Sequence, residues 1–519
     1  MRNLLILCIL SLFFITASSA QERESGNCGV GYEEGFEIRA QMFQNRANID
    51  RAQIQQLQNQ RFTIWIPLVI HLIGNNQGQG FASPSPAVSM ICRLNADFAD
   101  QNILFYIKDS IRFVKDDTIF VDAYDSIAID RMILLKDTMA ANVFINGSAG
   151  GGVAGYFSRR GDFVFILNSY ANGSSTTITH EFGHFFTLPH TFFGWEGTNA
   201  RALYFSTPAP DSILDSHGDK REVEYVARSG GQANCYSSAD GFCDTDADYI
   251  SSRWSCPLSG TALDPSGVAI APNSRLFMSY ALDNCMDSFS QEQKVAILTD
   301  VVNRNWTGFP APSSTTMMSG AFISAISPLD ASVQEVNSPM LRFEWDTVGA
   351  SAASAWVIEI ERMLFGTTVG TIARTIVNGQ NYIDIPSSKF LSNGQYRWRV
   401  MPFSNGYTCA NFGSYYNFNT GYHTNVKAEN ISDLAALQVL SNPVQGQILQ
   451  FRLSVFQPIQ GGLRLYASDG KLLFSENIQW LQMGEDLRNI DLSGYPAGIY
   501  QLVFVSDKGN LSKSFILSE

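Results

Sequence analysis

Apolar and polar positions divide the chain into five stretches. Leu4 to Ile15 is a short apolar run behind the positive charge of Arg2, and Ser18-Ser19-Ala20 supplies the small side chains that a signal peptidase needs. Residues 1–20 therefore read as a signal peptide. The run is too short for a bilayer, which takes about 20 apolar residues. Pro67 and His71 interrupt the next apolar run, Ile64 to Ile73, so no transmembrane segment is expected. Residues 21–61 are polar and rich in Gln and Arg. They predict helical stretches with little core, as in a removable extension. Residues 62–310 alternate strand and helix patterns. Phe62 to Ile73 is β-rich, Val88, Ile91, Leu94 and Phe98 fall at helical spacing, and Asp162 to Leu167 is a short apolar strand.

Phe309-Pro-Ala-Pro-Ser-Ser-Thr-Thr then reads as a linker. From 320 to 425 the period is two. Leu341, Phe343 and Trp345 oppose Arg342 and Glu344, and Tyr396, Trp398 and Val400 oppose Arg397 and Arg399. Turn pairs such as Asn393-Gly394 separate the runs, as in a β-sandwich. Residues 434–519 predict a second all-β unit, with strands at Leu463 to Tyr466, Lys471 to Phe474, Tyr500 to Val505 and Ser512 to Leu517. Asp469-Gly470 marks a hairpin turn there.

With 45% apolar and 16% charged residues, the chain can bury real cores. Its formal charge of −13 argues against nucleic acid as a partner, because phosphate binding needs a basic surface. Seven cysteines remain after the signal: Cys28, Cys92, Cys235, Cys243, Cys256, Cys285 and Cys409. Four lie between 235 and 285, and spacing alone does not choose among their three pairings. Seven is odd, so at least one thiol stays free or pairs between molecules.

The chemistry is concentrated in His-Glu-Phe-Gly-His-Phe-Phe-Thr-Leu-Pro-His, residues 180–190, which holds three of the six histidines. His180 and His184 share one helix face and can reach one zinc ion. Glu181 beside them can take a proton from a water on the metal. Ser174 or Ser175 is the expected N-cap. The helix must end near Thr187, helped by Pro189, so that His190 folds back as the third ligand.

This extended motif, with His-Thr-Phe (190–192), Asp-Gly-Phe-Cys-Asp-Thr (240–245) and Phe-Met-Ser-Tyr (277–280), resembles the pappalysin family of metzincin zinc peptidases, particularly its ulilysin-like bacterial members. The resemblance covers roughly residues 62–305. It implies a methionine turn at Met278 beneath the zinc and a catalytic role for Tyr280 in stabilising the oxyanion. Thr187 departs from the family's usual Gly, and a β-branched residue is strained at positive φ. The ulilysin-like members imply disulfides Cys235–Cys256 and Cys243–Cys285. They also allow structural Ca²⁺ in this region, with Asp244 and Asp248 as oxygen donors to consider. Cys28-Gly29 resembles the cysteine switch of pappalysin zymogens, whose thiolate would hold the open zinc position until cleavage after Arg51 or Arg61. A disulfide from Cys28 to Cys92 or Cys409 is the competing reading. If Cys28 leaves with the propeptide, those two are expected as buried free thiols.

The run Tyr-Arg-Trp-Arg-Val (396–400) resembles a late strand of fibronectin type III domains. Residues 434–519 resemble the sorting domain of the type IX secretion system of Bacteroidetes, through Ser441-Asn442-Pro443, Asp469-Gly470-Lys471, the Ala-Gly-Ile-Tyr step (497–500) and a short apolar end. Together these resemblances imply an α+β metzincin-like catalytic domain, a twisted mixed sheet plus active-site helix, at 62–310. A propeptide precedes it at 21–61, and two all-β sandwich domains follow at 320–425 and 434–519. The implied activity is a zinc endopeptidase acting on proteins or peptides. It would leave a Bacteroidetes-type bacterium through the periplasm and the type IX machinery, to be secreted or attached at the cell surface. The competing class is a non-catalytic surface adhesin on a relic peptidase fold.

Overall fold

A computed structural model describes residues 28–59, 63–150, 152–214, 218–336, 338–421, 431–456, 459–481, 483–506 and 509–518. The expected signal peptide and the expected cleavage position at Arg61 lie outside these residues. The chain forms two compact units. The first holds the described residues up to Asp330, with Arg342–Ile383 and Tyr396–Asn417. The second holds Ala331–Leu341, Asp384–Gln395 and the described residues from Phe418 onward.

The first unit is built on a mixed sheet. Its central strand β1 (Ile64–Gly74) is buried almost throughout, which explains its unbroken apolar run. Strand β2 (Ile103–Ile107) pairs with its first half and β3 (Arg112–Lys115) with its second, both parallel. On the other side lie β4 (Ala141–Asn146) and β6 (Phe163–Leu167), also parallel. Strand β5 (Gly155–Ser158) pairs antiparallel with β6 and ends the sheet, so its outer side can accept another chain segment.

Helix α1 (Tyr32–Ala47) and helix α2 (Arg51–Asn59) form the polar extension; α1 buries only Gly35, Ile38, Met42 and Asn45. Helix α3 (Pro84–Phe98) carries Pro84 in its first turn and buries Val88, Ile91, Leu94 and Phe98, the spacing read from the sequence. The short helix α4 (Asp117–Val121) and α5 (Ser126–Leu135) start on Asp116 and Asp125 caps, whose carboxylates accept from backbone N–H groups. They enclose Ile73, Phe144, Tyr156, Phe163 and Phe165. Helix α6 (Thr177–Phe185) is buried along almost its whole length. A chain of rings, Phe98, Phe105 and Phe182, locks it to α3 and β2 at centroid separations of 5.3 and 4.8 Å. Helices α7 (Ala200–Tyr204) and α8 (Gln291–Asn303) complete this region, α8 starting in a capping box at Ser290 and Gln293.

The same unit contains the antiparallel pair Ala355–Leu364 and Thr367–Asn378, with strand residues 396–403 beside the first of them. Glu359 and Glu361, buried on that sheet, are met by Arg374, Arg397 and Arg399. Ser85 of α3 donates to Glu359 at 3.2 Å. A disulfide joins Cys92 of α3 to Cys409. The expectation of two free thiols, and of a Cys28 bond to either, is therefore corrected: α3 packs where these two Cα atoms lie 4.9 Å apart, within disulfide reach.

The pairing of the other four cysteines is also corrected. Cys235 bonds Cys243, and Cys256 bonds Cys285. Consecutive turns, Ser237 N to Asn234 O and Gly241 N to Ser238 O, fold 235–243 back on itself. Trp254 N donates to Tyr280 O and Leu282 N to Trp254 O, and this ladder sets Cys256 beside Cys285.

In the second unit two antiparallel sheets enclose one core. One sheet orders Ala435–Val439, Ile448–Val455 and Gly484–Asp491; the other orders Leu472–Leu481, Ile459–Ala467, Gly498–Ser506 and Gly509–Leu517. Leu437, Phe451, Leu465, Leu502 and Phe515 are among the side chains between them. Gly470 takes φ 84° in the Asp469-Gly470 turn.

Candidate metal centre

Helix α6 carries the centre. The cap expected at Ser174 or Ser175 falls instead on Thr176, which makes no side-chain cap bond. Ser175 Oγ accepts from Thr177 N at 3.2 Å. The reason lies far along the chain. Asp283 accepts from Ser175 Oγ at 2.9 Å and from Thr176 N at 3.2 Å. The start of the helix is thus held by a remote carboxylate that also suits its positive end.

The helix ends as its third histidine requires. Thr187 N donates to His184 O and Leu188 N to Gly183 O, both at 2.9 Å, the pattern of a left-handed helix stop. Thr187 sits at φ 68°, where a β-branched residue costs about 1–2 kcal/mol. Its Oγ1 is buried without a partner. The chain therefore makes the glycine-type turn with a threonine, and the strained turn returns His190 to the face of His180 and His184.

Each imidazole is aimed by a bond to its Nδ1. His180 Nδ1 lies 2.6 Å from Phe277 O, His184 Nδ1 lies 2.8 Å from Leu188 O, and His190 Nδ1 lies 3.3 Å from Glu196 Oε1. Nδ1–H donation leaves each Nε2 with a lone pair. Glu196 is itself fixed by Gly194 N at 2.7 Å. Its role is not legible from sequence, where the only signal is a glutamate six residues beyond a candidate ligand. Met278 lies against the helix: a Cβ on Gly183 would meet its sulfur at 2.2 Å. Met278 O accepts from Thr191 N at 3.1 Å.

One ligand atom each from His180, His184, His190 and Cys28 lie within 4.8 Å of one another. His184 Nε2 and His190 Nε2 are 3.1 Å apart, and His180 Nε2 is buried with no hydrogen-bond partner. Burial pushes His180 and His190 down to about 3 and His184 well below its usual value, so the rings are neutral at neutral pH. Lone pairs facing one another in a dry pocket call for a cation, and three imidazoles plus a thiol suit zinc.

Glu181 is fully buried. Its Oε1 has no partner, and its Oε2 accepts from Cys28 Sγ at 3.5 Å. Burial pushes its carboxyl up to about 8. Tyr280 OH donates to Cys28 O at 3.4 Å, and its ring packs 5.1 Å from that of His190. Cys28-Gly29 is strapped over the cleft: Gly29 N donates to Gly155 O on β5 at 2.7 Å, and Tyr124 OH to Gly29 O at 2.9 Å. Helix α1 holds on through Arg39 to Ser237 O and Arg46 to Gly241 O, at 2.9 and 2.8 Å.

The residues considered for calcium are otherwise engaged. Asp244 accepts from Ser290 Oγ and Glu292 N, and Asp248 from Thr191 Oγ1 and Ile250 N. The buried carboxylate oxygens without a hydrogen bond in this region are both Oε atoms of Glu224 and Oδ2 of Asp240. Arg228 Nη1 lies 3.2 Å from Glu224 Oε1, but its hydrogen bonds go to Tyr225 O and, through Nη2, to Thr245 O.

No family model matches the chain. Several solved structures share parts of it at TM-scores too low to carry an argument. A biofilm-associated protein BSP domain gives 0.14, at 13% identity over 38% of this chain and 30% of that one. Chicken CNTN1 FN1-FN3 domains give 0.15, at 13% identity over 38% of this chain and 67% of theirs. Among curated proteins, an extracellular metalloprotease of Colletotrichum graminicola is 23% identical over 253 residues, covering 45% of this chain and 74% of its own length. That similarity and the buried histidine cluster relate the chain to the metalloproteases.

Proposed function

We propose that the chain is a secreted zinc endopeptidase of the pappalysin type, held latent by Cys28. The observation that carries this reading is the convergence of three neutral imidazoles on one point beside the unpartnered oxygen of Glu181. His180, His184 and His190 would hold the ion. When bound, zinc supplies Lewis-acid polarisation of the scissile carbonyl. Glu181 accepts the proton of the attacking water and passes it to the leaving amine. Tyr280 donates its hydroxyl to the developing oxyanion once Cys28 O has left it. The outer side of β5, which Gly29 engages at Gly155 O, binds the extended substrate backbone.

Residues 434–519 are assigned to export through the type IX machinery on the motifs that resemble its sorting domains. Zinc analysis of the full chain, with casein digestion after processing, tests the activity. One zinc per chain and cleavage lost to o-phenanthroline are expected. A metal-free chain under zinc-replete conditions would refute the reading.

Calcium belongs to the same proposal, moved from Asp244 and Asp248 to Glu224 and Asp240, whose charges oppose each other. Arg39 of α1 lowers the charge cost at Asp240 while the propeptide is in place. Loss of α1 removes Arg39 and leaves Arg228 as the remaining cation beside those carboxylates, so that a hard cation completes their neutralisation. Saturating Ca²⁺ is therefore expected to raise the Tm of the processed chain by about 5–10 °C. Glu224→Gln should remove the increment, which differential scanning calorimetry reads directly.

A further inference from the structure

Beside the catalytic cleft lies a cavity of about 490 Å³ between α7 and the segment 249–254. Its lining offers side-chain donors from Arg201, Arg253, Asn199 and Ser252, and no Asp or Glu lines it among the described residues. In a chain of net charge −13 this is a local inversion of sign.

Ser251 Oγ donates to Thr198 O, but the guanidinium donors are largely left over by the fold. Arg201 makes no hydrogen bond or ion pair among the described residues. Arg253 gives one nitrogen, Nη2, to Asp283 Oδ1 at 2.5 Å, leaving Nε and Nη1. Asp283 spends its other oxygen on Ser175 and Thr176, so it does not extend into the cavity as an acceptor.

Arg253 lines both this cavity and the cleft shared by His180, Glu181 and Tyr280. The register is fixed, because Trp254 N donates to Tyr280 O at 3.1 Å and Leu282 N to Trp254 O at 2.9 Å.

We propose that this hollow is a specificity pocket for a carboxylate of the substrate, paired by Arg253 and Arg201. The carboxylate is either an Asp or Glu side chain near the scissile bond or the free C-terminus of a short peptide. Guanidinium forks match carboxylates in geometry and charge. The inference rests on the peptidase reading and adds a substrate class to it.

The test measures kcat/KM of the zinc-loaded, processed chain on fluorogenic peptides. The set carries Asp, Asn or Lys in turn at the three positions on each side of the cleaved bond, and each peptide is made as a C-terminal acid and amide. We expect one position at which Asp exceeds Asn by about tenfold or more, or a similar advantage of acid over amide. The two arms separate the sources. Arg201→Glu, on α7 and away from the histidines, should cut that ratio at least about fivefold, and Arg201→Glu with Arg253→Glu should invert it toward Lys. Wild-type cleavage without any carboxylate preference overturns the pocket alone. So does a preference that survives both substitutions. Absence of cleavage of every peptide overturns the peptidase reading and the pocket with it.

Discussion

The Glu181→Gln chain is expected to bind one zinc and to cleave casein about 10²–10⁴ times more slowly than the wild type, the usual loss when a positioned proton acceptor is removed. Gln keeps the shape of the side chain and cannot accept the proton. Glu181 is fully buried and touches none of the Nδ1 bonds that aim the imidazoles, so the ligand set should survive. Metal analysis and a digestion assay on the same preparation read the two halves separately. Wild-type turnover by this variant would move the base elsewhere. Loss of zinc together with activity would make Glu181 a structural support of the cluster rather than the proton acceptor.

How much of this centre is legible depends on sequence distance. The i, i+4 pair of His180 and His184 is a property of any helix, and the stop near Thr187 follows from the need to return His190. Both can be read locally, including the positive φ that Thr187 carries at 68°. The supports cannot. Asp283 holds the start of α6 across 108 residues, and Phe277 O orients His180 across 97. These partners are set by packing: Phe277 lies in the Phe-Met-Ser-Tyr run, but it acts through a backbone carbonyl that no side-chain pattern reveals, and Asp283 belongs to none of the motifs.

The cysteines follow the same rule. A family pairing places Cys235 with Cys256, but backbone turns between 234 and 241 and the Trp254 to Tyr280 ladder bring different sulfurs together. Strands are legible where apolar and polar positions alternate, as at Tyr396, Trp398 and Val400, all buried. The short strand Ala435–Val439 and the strand Gly484–Asp491 escape such reading, because five residues hold too little pattern in one and exposed polar positions weaken the alternation in the other.

Cys28→Ala in the full, unprocessed chain is expected to raise cleavage by about tenfold or more. The sulfur is the fourth member of the cluster, and the sole free cysteine among the described residues. Apparent activity scales with the fraction of chains whose cleft is open. A metal–sulfur bond contributing even about 1.4 kcal/mol changes that fraction tenfold. The backbone strap survives the substitution, since Gly29 N to Gly155 O and Tyr124 OH to Gly29 O involve no side chain of residue 28. The variant therefore isolates the thiol from the rest of the extension. Activity should rise without any change in chain length on a gel, and a thiol-binding mercurial should reproduce the rise in the wild type. If Cys28→Ala stays silent while the processed chain is active, latency lies in the strap and in the grip of Arg39 and Arg46 on residues 237–241, not in the sulfur.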